Sequence, residues 1–315
     1  RGQNEKNNKK LFSGVAASVD CNNRWVFLDP FRGAVAAVAE SARNVSCVGA
    51  EPVAITNNLN FSSPETEIGY WQLSSSCDGI SKACKVLETP VTGGNVSLYN
   101  ESKNKDNEIT PISPTPVIGM VGKIDNVDKA ISTGWKNIND QIWLIGSYKS
   151  ESTISASAYL EYFHGEVTGR PPQLDLIDEK FCQSFIRNSI LNNFVASAHD
   201  ISDGGLAIAL AECCILSLKG AKIELQKDLK RDDNLLFAEG GSRIIISINK
   251  IKEKEWFNYL EKIQKYSPSS VYVKKIGYVS SESLKINIAD RNICNIKVEE
   301  LTEKFNNSIS DYFKI

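Results

Sequence analysis

The sequence predicts two α/β domains that follow one another along the chain. Its 315 residues exceed the size of a single average domain. Hydrophobic residues make up 42% of the chain and charged residues 23%, a balance typical of globular proteins. Strand-like and helix-like segments alternate on both sides of residues 125–140, where we expect the domain boundary. We therefore predict a disordered leader at 1–13, a first domain at 14–130 and a second domain at 140–315.

In the first domain, strands and helices alternate from residue 14 onward. The predicted strands are 14–19, 52–58, 90–92 and 116–121, and the predicted helices are 33–48 and 68–87. Gly49 follows the first helix, where a glycine in the left-handed conformation commonly ends a helix. The pattern predicts a turn at 93–98 and a polar surface loop at 102–108.

The second domain shows the same alternation. The predicted strands are 141–146, 195–200, 244–248 and 271–279, and the predicted helices are 179–193, 204–215 and 251–264. Two adjacent glycines, Gly204 and Gly205, stand at the start of the apolar helix through Ile215. The polar stretch before these glycines follows directly on a predicted strand.

Charge and composition exclude several classes of partner. The 36 basic and 38 acidic residues are interspersed and give a net charge of -2, which argues against nucleic acid and anionic membrane as partners. No apolar run reaches the roughly 20 residues that span a bilayer. The eight cysteines lack C-x-x-C spacing, so we expect reduced thiols and no zinc site in a cytoplasmic protein.

The first candidate site is the stretch GGNVS at 93–97. Gly93 and Gly94 would let backbone amides approach an anion closely, as in an anion-binding nest. Asn95 offers a carbonyl oxygen to a hard cation, and Ser97 offers a hydroxyl to a phosphate. By residue type alone, however, an ordinary tight turn explains these residues better.

The second candidate is the stretch HDISDGG at 199–205. Acids beside a Gly-Gly helix start suit Mg²⁺-bridged phosphate, because the acids hold the metal and the amides meet the phosphate oxygens. A capping role, worth about 1 kcal/mol, needs only one acid, so two acids favour the binding role. His199 is equally compatible with a structural and a catalytic role.

A third candidate lies on the first predicted helix. Glu40 and Asn44 are four residues apart and therefore share one helical face. Together with Asp20 they would supply three oxygen ligands for Mg²⁺. By spacing alone, a solvated helix edge is the better explanation.

Taken in order, these motifs resemble the second half of the bacterial-type phosphoribosylformylglycinamidine synthases. The matching stretches are GVA at 14–16, DCN at 20–22, LDP at 28–30, GAEP at 49–52, NF at 60–61, TPVTGGNVSLYNE at 89–101, PTP at 114–116, and AHD at 198–200 followed by GGLA at 204–207. The resemblance implies an α/β fold like that of aminoimidazole ribonucleotide synthetase. In that fold the first domain forms half of a β-barrel by docking against a counterpart, and the second domain is an α/β sandwich.

The resemblance also implies an activity. These enzymes are ligases that use ATP, Mg²⁺ and glutamine-derived ammonia to convert formylglycinamide ribonucleotide into formylglycinamidine ribonucleotide. The matching positions are Asn57 and Gly94 near ATP, Asn95 at a Mg²⁺ ion, and Ser97 at the substrate. The family's catalytic residues belong to its other half. Asn57 stands where the family commonly has Asp, which favours a nucleotide contact over a metal contact.

A further set of positions matches a second, non-reacting nucleotide and its Mg²⁺ in the large single-chain enzymes. These are Asp20, Glu40, Asn44, Asp200 and Ser202. The implied partners are the N-terminal half of the same synthase, a glutaminase subunit and a small accessory subunit. Two alternatives remain open at this point, an autonomous homodimeric synthetase and a non-catalytic scaffold that binds nucleotide.

Overall fold

The computed structural model describes residues 12–227 and 231–313 and contains two sheet-based units. The predicted leader at 1–13 lies outside the described residues as far as residue 11. The N-terminal unit contains, in order, β1 (Gly14–Asp20), α1 (Asn23–Leu28), α2 (Pro30–Cys47), β2 (Glu51–Asn60), α3 (Glu67–Leu87), β3 (Val91–Ser97), β4 (Glu101–Lys103), β5 (Ile109–Pro111) and β6 (Thr115–Ile124).

The main sheet of the N-terminal unit has four strands in the order β1-β6-β2-β3. Strand β6 is antiparallel to β1 and β2, whereas β3 is parallel to β2. Helices α2 and α3 cover one face, where Ile55, Ile118 and Met120 are fully buried. The other face, the open face, exposes Val15 and Val19 to 77% and 70%. Side-chain alternation along the strands thus produces one packed face and one uncovered face.

Helix α2 begins three residues earlier than the apolar pattern predicts. The Asp29 side chain caps it by accepting a hydrogen bond of 3.0 Å from the backbone N–H of Arg32, and Pro30 occupies the first helical position. Gly49 follows the last turn with φ +91°, as predicted for a helix end. The alanine-rich sequence lets α2 pack closely on both α3 and the sheet.

The prediction of a turn at 93–98 is wrong. Residues up to Ser97 belong to β3, and neither Gly93 nor Gly94 has a positive φ, so these glycines form no anion-binding nest. Hydrogen bonds from the parallel neighbour β2 outweigh the local turn preference of two glycines. The predicted loop at 102–108 is shorter than expected, because its ends pair in the β4–β5 hairpin.

The C-terminal unit is a sandwich of helices on both faces of a larger sheet. It contains β7 (Gln141–Ser147), β8 (Ser152–Thr153), α4 (Ala158–His164), α5 (Leu176–Leu191), β9 (Val195–Asp200), α6 (Gly205–Ser217), β10 (Gly220–Leu225), α7 (Asp232–Phe237), β11 (Glu239–Gly240), β12 (Ile244–Ile248), α8 (Glu253–Gln264), β13 (Val271–Ser280), β14 (Ser283–Ile288), β15 (Arg291–Lys297) and α9 (Val298–Phe313). Its seven main strands run in the order β15-β14-β10-β13-β7-β12-β9.

Two separate cores flank this seven-stranded sheet. Helices α6 and α9 pack on one face, and α5 and α8 pack on the other around the fully buried Trp256. The sequence reading missed β10, β14 and β15, although Leu284, Ile286 and Ile288 alternate as expected for a half-buried strand. No helix within residues 12–227 and 231–313 is both long and apolar enough to cross a membrane.

The two units meet along α2, which contacts the N-terminal sheet and also α5. Arg43 on α2 forms a buried ion pair of 2.8 Å with Glu179 on α5. Gln183 lies one turn further along α5 and donates hydrogen bonds to the Ala39 carbonyl (3.1 Å) and to Glu179 (2.8 Å). These polar contacts fix the orientation of α5 on α2.

Candidate functional site

Asn57 and Gly94 lie side by side on the parallel strands β2 and β3. A β-carbon at position 94 would lie 2.0 Å from the Asn57 Oδ1 and 2.7 Å from the Asn57 carbonyl oxygen. Such distances are far inside van der Waals contact, so only glycine fits beside Asn57. Gly93 is the neighbouring residue, yet a β-carbon at position 93 would have no described atom beyond its two chain neighbours within 4 Å.

The Asn57 side chain lies on the helix-covered side of the sheet, next to a groove of about 500 Å³ between β3 and α3. Ile80 and Cys84 of α3, with Pro90 and Val91, give the groove largely apolar walls. Lys85 adds one cationic group. An apolar groove with a few polar groups at its edge is the usual form of a site for a nucleotide base or another flat ring.

Asn95 and Ser97 lie on the opposite, open face of the same strand. Asn95 Nδ2 donates a hydrogen bond of 3.1 Å to Oδ1 of Asn58, its neighbour on β2. Ser97 Oγ donates to Asn100 Oδ1 at 3.1 Å, and Asn100 Nδ2 returns a bond of 2.8 Å to the Ser97 carbonyl. The residues matched to ATP, Asn57 and Gly94, thus lie on one face of the sheet, and those matched to Mg²⁺ and the substrate lie on the other.

The positions matched to a second nucleotide lie where α2 packs against β1 and β9. Asn44 Nδ2 donates hydrogen bonds to both carboxylate oxygens of Asp20, at 3.1 and 3.3 Å. Asp200 is 2% exposed, and its Oδ2 has no hydrogen-bond partner among the described residues; Arg43 Nε lies 3.9 Å away. Burial, followed by the charge of Asp200, raises the pKa of Glu40 well above its usual value.

Glu40 and Ser202 share a cavity of about 10 Å³ with Arg43 and Asp203. The structure therefore brings Glu40 and Ser202 to one cavity and joins Asp20 to Asn44 beside it. In the described part of the chain, no group of three or more His, Cys, Asp or Glu side chains has the arrangement of a metal site. A cation would thus rely on amide and hydroxyl oxygens, or on water, in addition to the acids.

His199 connects two acids next to this cluster. Its Nε2 lies 2.9 Å from Glu212 Oε2, and its Nδ1 lies 3.4 Å from Asp200 Oδ1. Although burial lowers the pKa of His199, its hydrogen bonds to the two acids raise it to about 9. These contacts favour a structural role for His199 over a catalytic one, because both ring nitrogens are already engaged.

The sequence reading missed a carboxylate that supports the loop after Asp200. Glu239 is 1% exposed, and its Oε1 accepts hydrogen bonds from the backbone N–H groups of Gly204 (2.9 Å) and Ala158 (2.8 Å). Arg24 Nη2 binds Asp203 at 2.8 Å and lies 3.9 Å from Glu239 Oε2. A sequence pattern could have indicated Glu239, because it is an acid followed by two glycines, as Asp203 is.

Replacing Glu239 by glutamine should make stability less dependent on pH. Burial, followed by the charge of Asp203, raises the pKa of Glu239 from 4.5 to about 7. The fold therefore favours the protonated acid, so this stabilisation is complete below about pH 4.5 and is lost as the pH rises through about 7. Relative to Glu239→Gln, the unchanged protein should lose about 1–3 kcal/mol between pH 5 and pH 8. Urea unfolding at both pH values measures this, and equal losses in the two proteins would contradict it.

Comparison with protein families assigns both units. The model described as AIR synthase related protein, N-terminal domain, matches residues 10–124, and the corresponding C-terminal domain matches residues 137–283. Together these matches cover most of the chain. The chain belongs to the AIR synthase related protein family. The family matches support the predicted synthetase-like fold.

Two similar proteins from Prochlorococcus marinus carry the same name. The phosphoribosylformylglycinamidine synthase subunit PurL of Prochlorococcus marinus strain MIT 9312 is 84% identical over 313 residues, covering 99% of this chain and 40% of that protein. The protein of the same name from strain MIT 9303 is 51% identical over 315 residues and is again covered to 40%. The chain thus spans about 40% of the length of these relatives.

Solved structures share the fold at low sequence identity. PurL of T. maritima complexed with ATP has a TM-score of 0.70 at 17% identity, with 93% of this chain and 45% of that chain covered. The same protein complexed with FGAR has a TM-score of 0.72, covering 93% and 46%. Thiamine-monophosphate kinase from Stenotrophomonas maltophilia K279a has a TM-score of 0.59 at 15% identity, covering 90% and 86%. The predicted two-domain α/β fold is therefore confirmed.

Proposed function

We propose that this chain forms part of the ATP-dependent site of a cytoplasmic phosphoribosylformylglycinamidine synthase. The reaction joins glutamine-derived ammonia to formylglycinamide ribonucleotide and consumes ATP. The names of the similar proteins support this proposal, as do the T. maritima PurL complexes with ATP and with FGAR. The observation that carries the proposal is the close fit of Gly94, on the edge strand β3, against Asn57 of the neighbouring strand β2. Polar side chains that could bind ligands lie on both faces of the sheet at this edge.

ATP would bind on the helix-covered side of β3. Asn57 reaches the groove there, and the missing side chain of Gly94 keeps the approach to Asn57 free. An apolar wall containing Ile80 and Val91 would take the base, and the phosphates would pass around the free edge of β3 to reach the open face. The amide oxygen of Asn57 suits a hydrogen bond to ATP better than direct coordination of a metal ion, since it carries no charge.

Mg²⁺ and the substrate would bind on the open face. Asn95 Nδ2 is engaged by Asn58, which leaves the Asn95 Oδ1 for a hard cation. Ser97 is held at the strand end by Asn100 and presents its hydroxyl group to the substrate. Bound Mg²⁺ would neutralise phosphate charge during phosphoryl transfer. The catalytic groups would come from the N-terminal half of the synthase.

That N-terminal half would dock on the open face and close a β-barrel. The face exposes Val15, Val19 and Val121 at one end, and carries Asn58 and Asn95 at the other. Exposed apolar side chains grouped on one sheet face are typical of an interface. Supply of ammonia would require the glutaminase subunit and the small accessory subunit.

The test is turnover of formylglycinamide ribonucleotide with ATP and ammonia. We expect none with this chain alone and activity after the N-terminal half is added. Activity of the chain alone would replace the proposal with an autonomous homodimer. If both samples are folded and inactive, a nucleotide-binding scaffold becomes the better explanation.

We also propose that Asp20, Glu40, Asn44, Asp200 and Ser202 hold a second nucleotide through Mg²⁺. The unpartnered Oδ2 of buried Asp200 and the repulsion between Asp200 and Glu40 support a cation here, since it would relieve both. Asp200 and Glu40 would hold the ion, and Ser202 would contact a phosphate.

The Asp200→Ala variant should bind Mg·ADP at least about tenfold more weakly in the protein completed by the N-terminal half. The reason is loss of a carboxylate from the ion's surroundings. Titration calorimetry with Mg·ADP measures this, and Glu282→Ala, which removes an exposed acid, is the matched control. Equal affinities in the Asp200→Ala and unchanged proteins would rule out the assignment.

A further inference from the structure

A large cleft in the C-terminal unit lies apart from both candidate sites. Its volume is about 1140 Å³, and it opens over strands β7, β10 and β13 between residues 147–155 and helix α7. None of the residues assigned above to ATP, Mg²⁺, substrate or the second nucleotide lines it. Its floor is apolar and consists of Leu144, Leu206, Leu225, Leu235 and Ile276. This size and floor are typical of a small-molecule site.

Arg170 and Lys274 are basic residues of the cleft that have no acidic partner among the described residues. Within residues 12–227 and 231–313, no carboxylate lies within ion-pair distance of Arg170 or Lys274. Lys274 Nζ lies 5.2 Å from the ring centre of Tyr148 and 5.0 Å from that of Tyr272. These aromatic contacts hold the ammonium group in place without neutralising its charge.

The two carboxylates that line the cleft are already engaged elsewhere. Glu151 Oε2 accepts hydrogen bonds from Arg32 Nη1 at 3.2 Å and from the backbone N–H of Gln173 at 2.7 Å. Glu224 Oε1 accepts a bond of 2.7 Å from Asn287. Five basic residues line the cleft against these two acids, so its net charge is positive, which favours an anion.

One wall of the cleft is rich in groups that bind hydroxyls. It carries the side chains of Ser150, Ser152, Thr153 and Ser155. Ser155 Oγ accepts a hydrogen bond of 3.0 Å from the backbone N–H of Arg170, and this bond positions Arg170 beside the wall. Across the cleft, Asn234 on α7 adds a side-chain amide, a group that forms hydrogen bonds with hydroxyls.

We propose that this cleft binds a phosphorylated sugar. Arg170 and Lys274 bind its phosphate through charge-assisted hydrogen bonds. Asn234 and the serine-rich wall bind its hydroxyl groups, and the exposed ring of Tyr148 packs against the apolar face of the sugar. The site requires neither ATP nor Mg²⁺ and is independent of the function proposed above.

Titration of ribose 5-phosphate into the 315-residue chain, without nucleotide or metal, tests the proposal. We expect saturable binding by calorimetry that is weakened about tenfold or more in both Arg170→Ala and Lys274→Ala. Lys304→Ala, which removes an exposed lysine on α9, should leave the affinity unchanged. Ribose and inorganic phosphate should each bind more weakly than ribose 5-phosphate.

Three results would overturn the proposal. The first is no saturable binding of ribose 5-phosphate, and the second is unchanged affinity in both variants. The third is equal affinity for inorganic phosphate, which would remove the role of the sugar. Arg170 and Lys274 are exposed, so circular dichroism should show the same melting temperature in the variants and the unchanged chain. Failure of ATP-dependent turnover would leave this result unaffected.

Discussion

Replacing Arg43 by methionine should lower the free energy of unfolding by about 3–5 kcal/mol. Arg43 is 4% exposed and Glu179 is fully buried, and the two side chains pair at 2.8 Å between the N-terminal and C-terminal units. Methionine fills much of the same volume but leaves the Glu179 carboxylate without its cation. Asp200 loses the same nearby charge. Urea unfolding at pH 7 measures the change.

The matched control is Arg231→Met, which removes an arginine from an exposed pair with Asp233. Solvent screens that pair, so we expect a loss below about 1 kcal/mol. The double variant Arg43→Met with Glu179→Gln should recover part of the stability, because no unpaired buried charge then remains. Similar losses for Arg43→Met and Arg231→Met would show that the buried pair has no special role.

Gly94→Ala should weaken ATP binding at least about tenfold and destabilise the chain by about 1–3 kcal/mol. The new methyl group would lie 2.0 Å from Asn57 Oδ1 and 2.7 Å from the Asn57 carbonyl, so β3 and the Asn57 side chain must both move. Movement of Asn57 changes the group that we place against ATP. Nucleotide titration and urea unfolding measure the two effects separately.

Gly93→Ala is an unusually close control for this variant. The substitution is chemically identical and one residue away, yet the new methyl group has no described atom beyond its two chain neighbours within 4 Å. We expect a change in stability within about 0.5 kcal/mol and unchanged ATP affinity. If both glycine variants behave alike, the contact between Gly94 and Asn57 does not shape the nucleotide site.

The helices and strands with strong periodicity were predictable from the sequence. Helix α2 and strands β7, β9 and β12 lie close to their predicted positions, because each buries a complete apolar face or stripe. Among the missed elements, α9 has little burial, since Val298 is its single buried residue, whereas β14 was missed although Leu284, Ile286 and Ile288 are buried. The family was also recognisable, because its motifs are runs of residues and not isolated positions.

The sequence by itself determined the motifs that contain the candidate site residues. The tertiary structure decided which of these residues contact one another. The pairing of Asn57 with Gly94 depends on the parallel register of β2 and β3, and that register is set by strands far apart in the chain. Residues 93–97 of the predicted turn at 93–98 belong to the edge strand β3 for the same reason. Arg43 and Glu239 gained their roles only through burial, because a charge in a dry interface must find a partner that local sequence does not reveal.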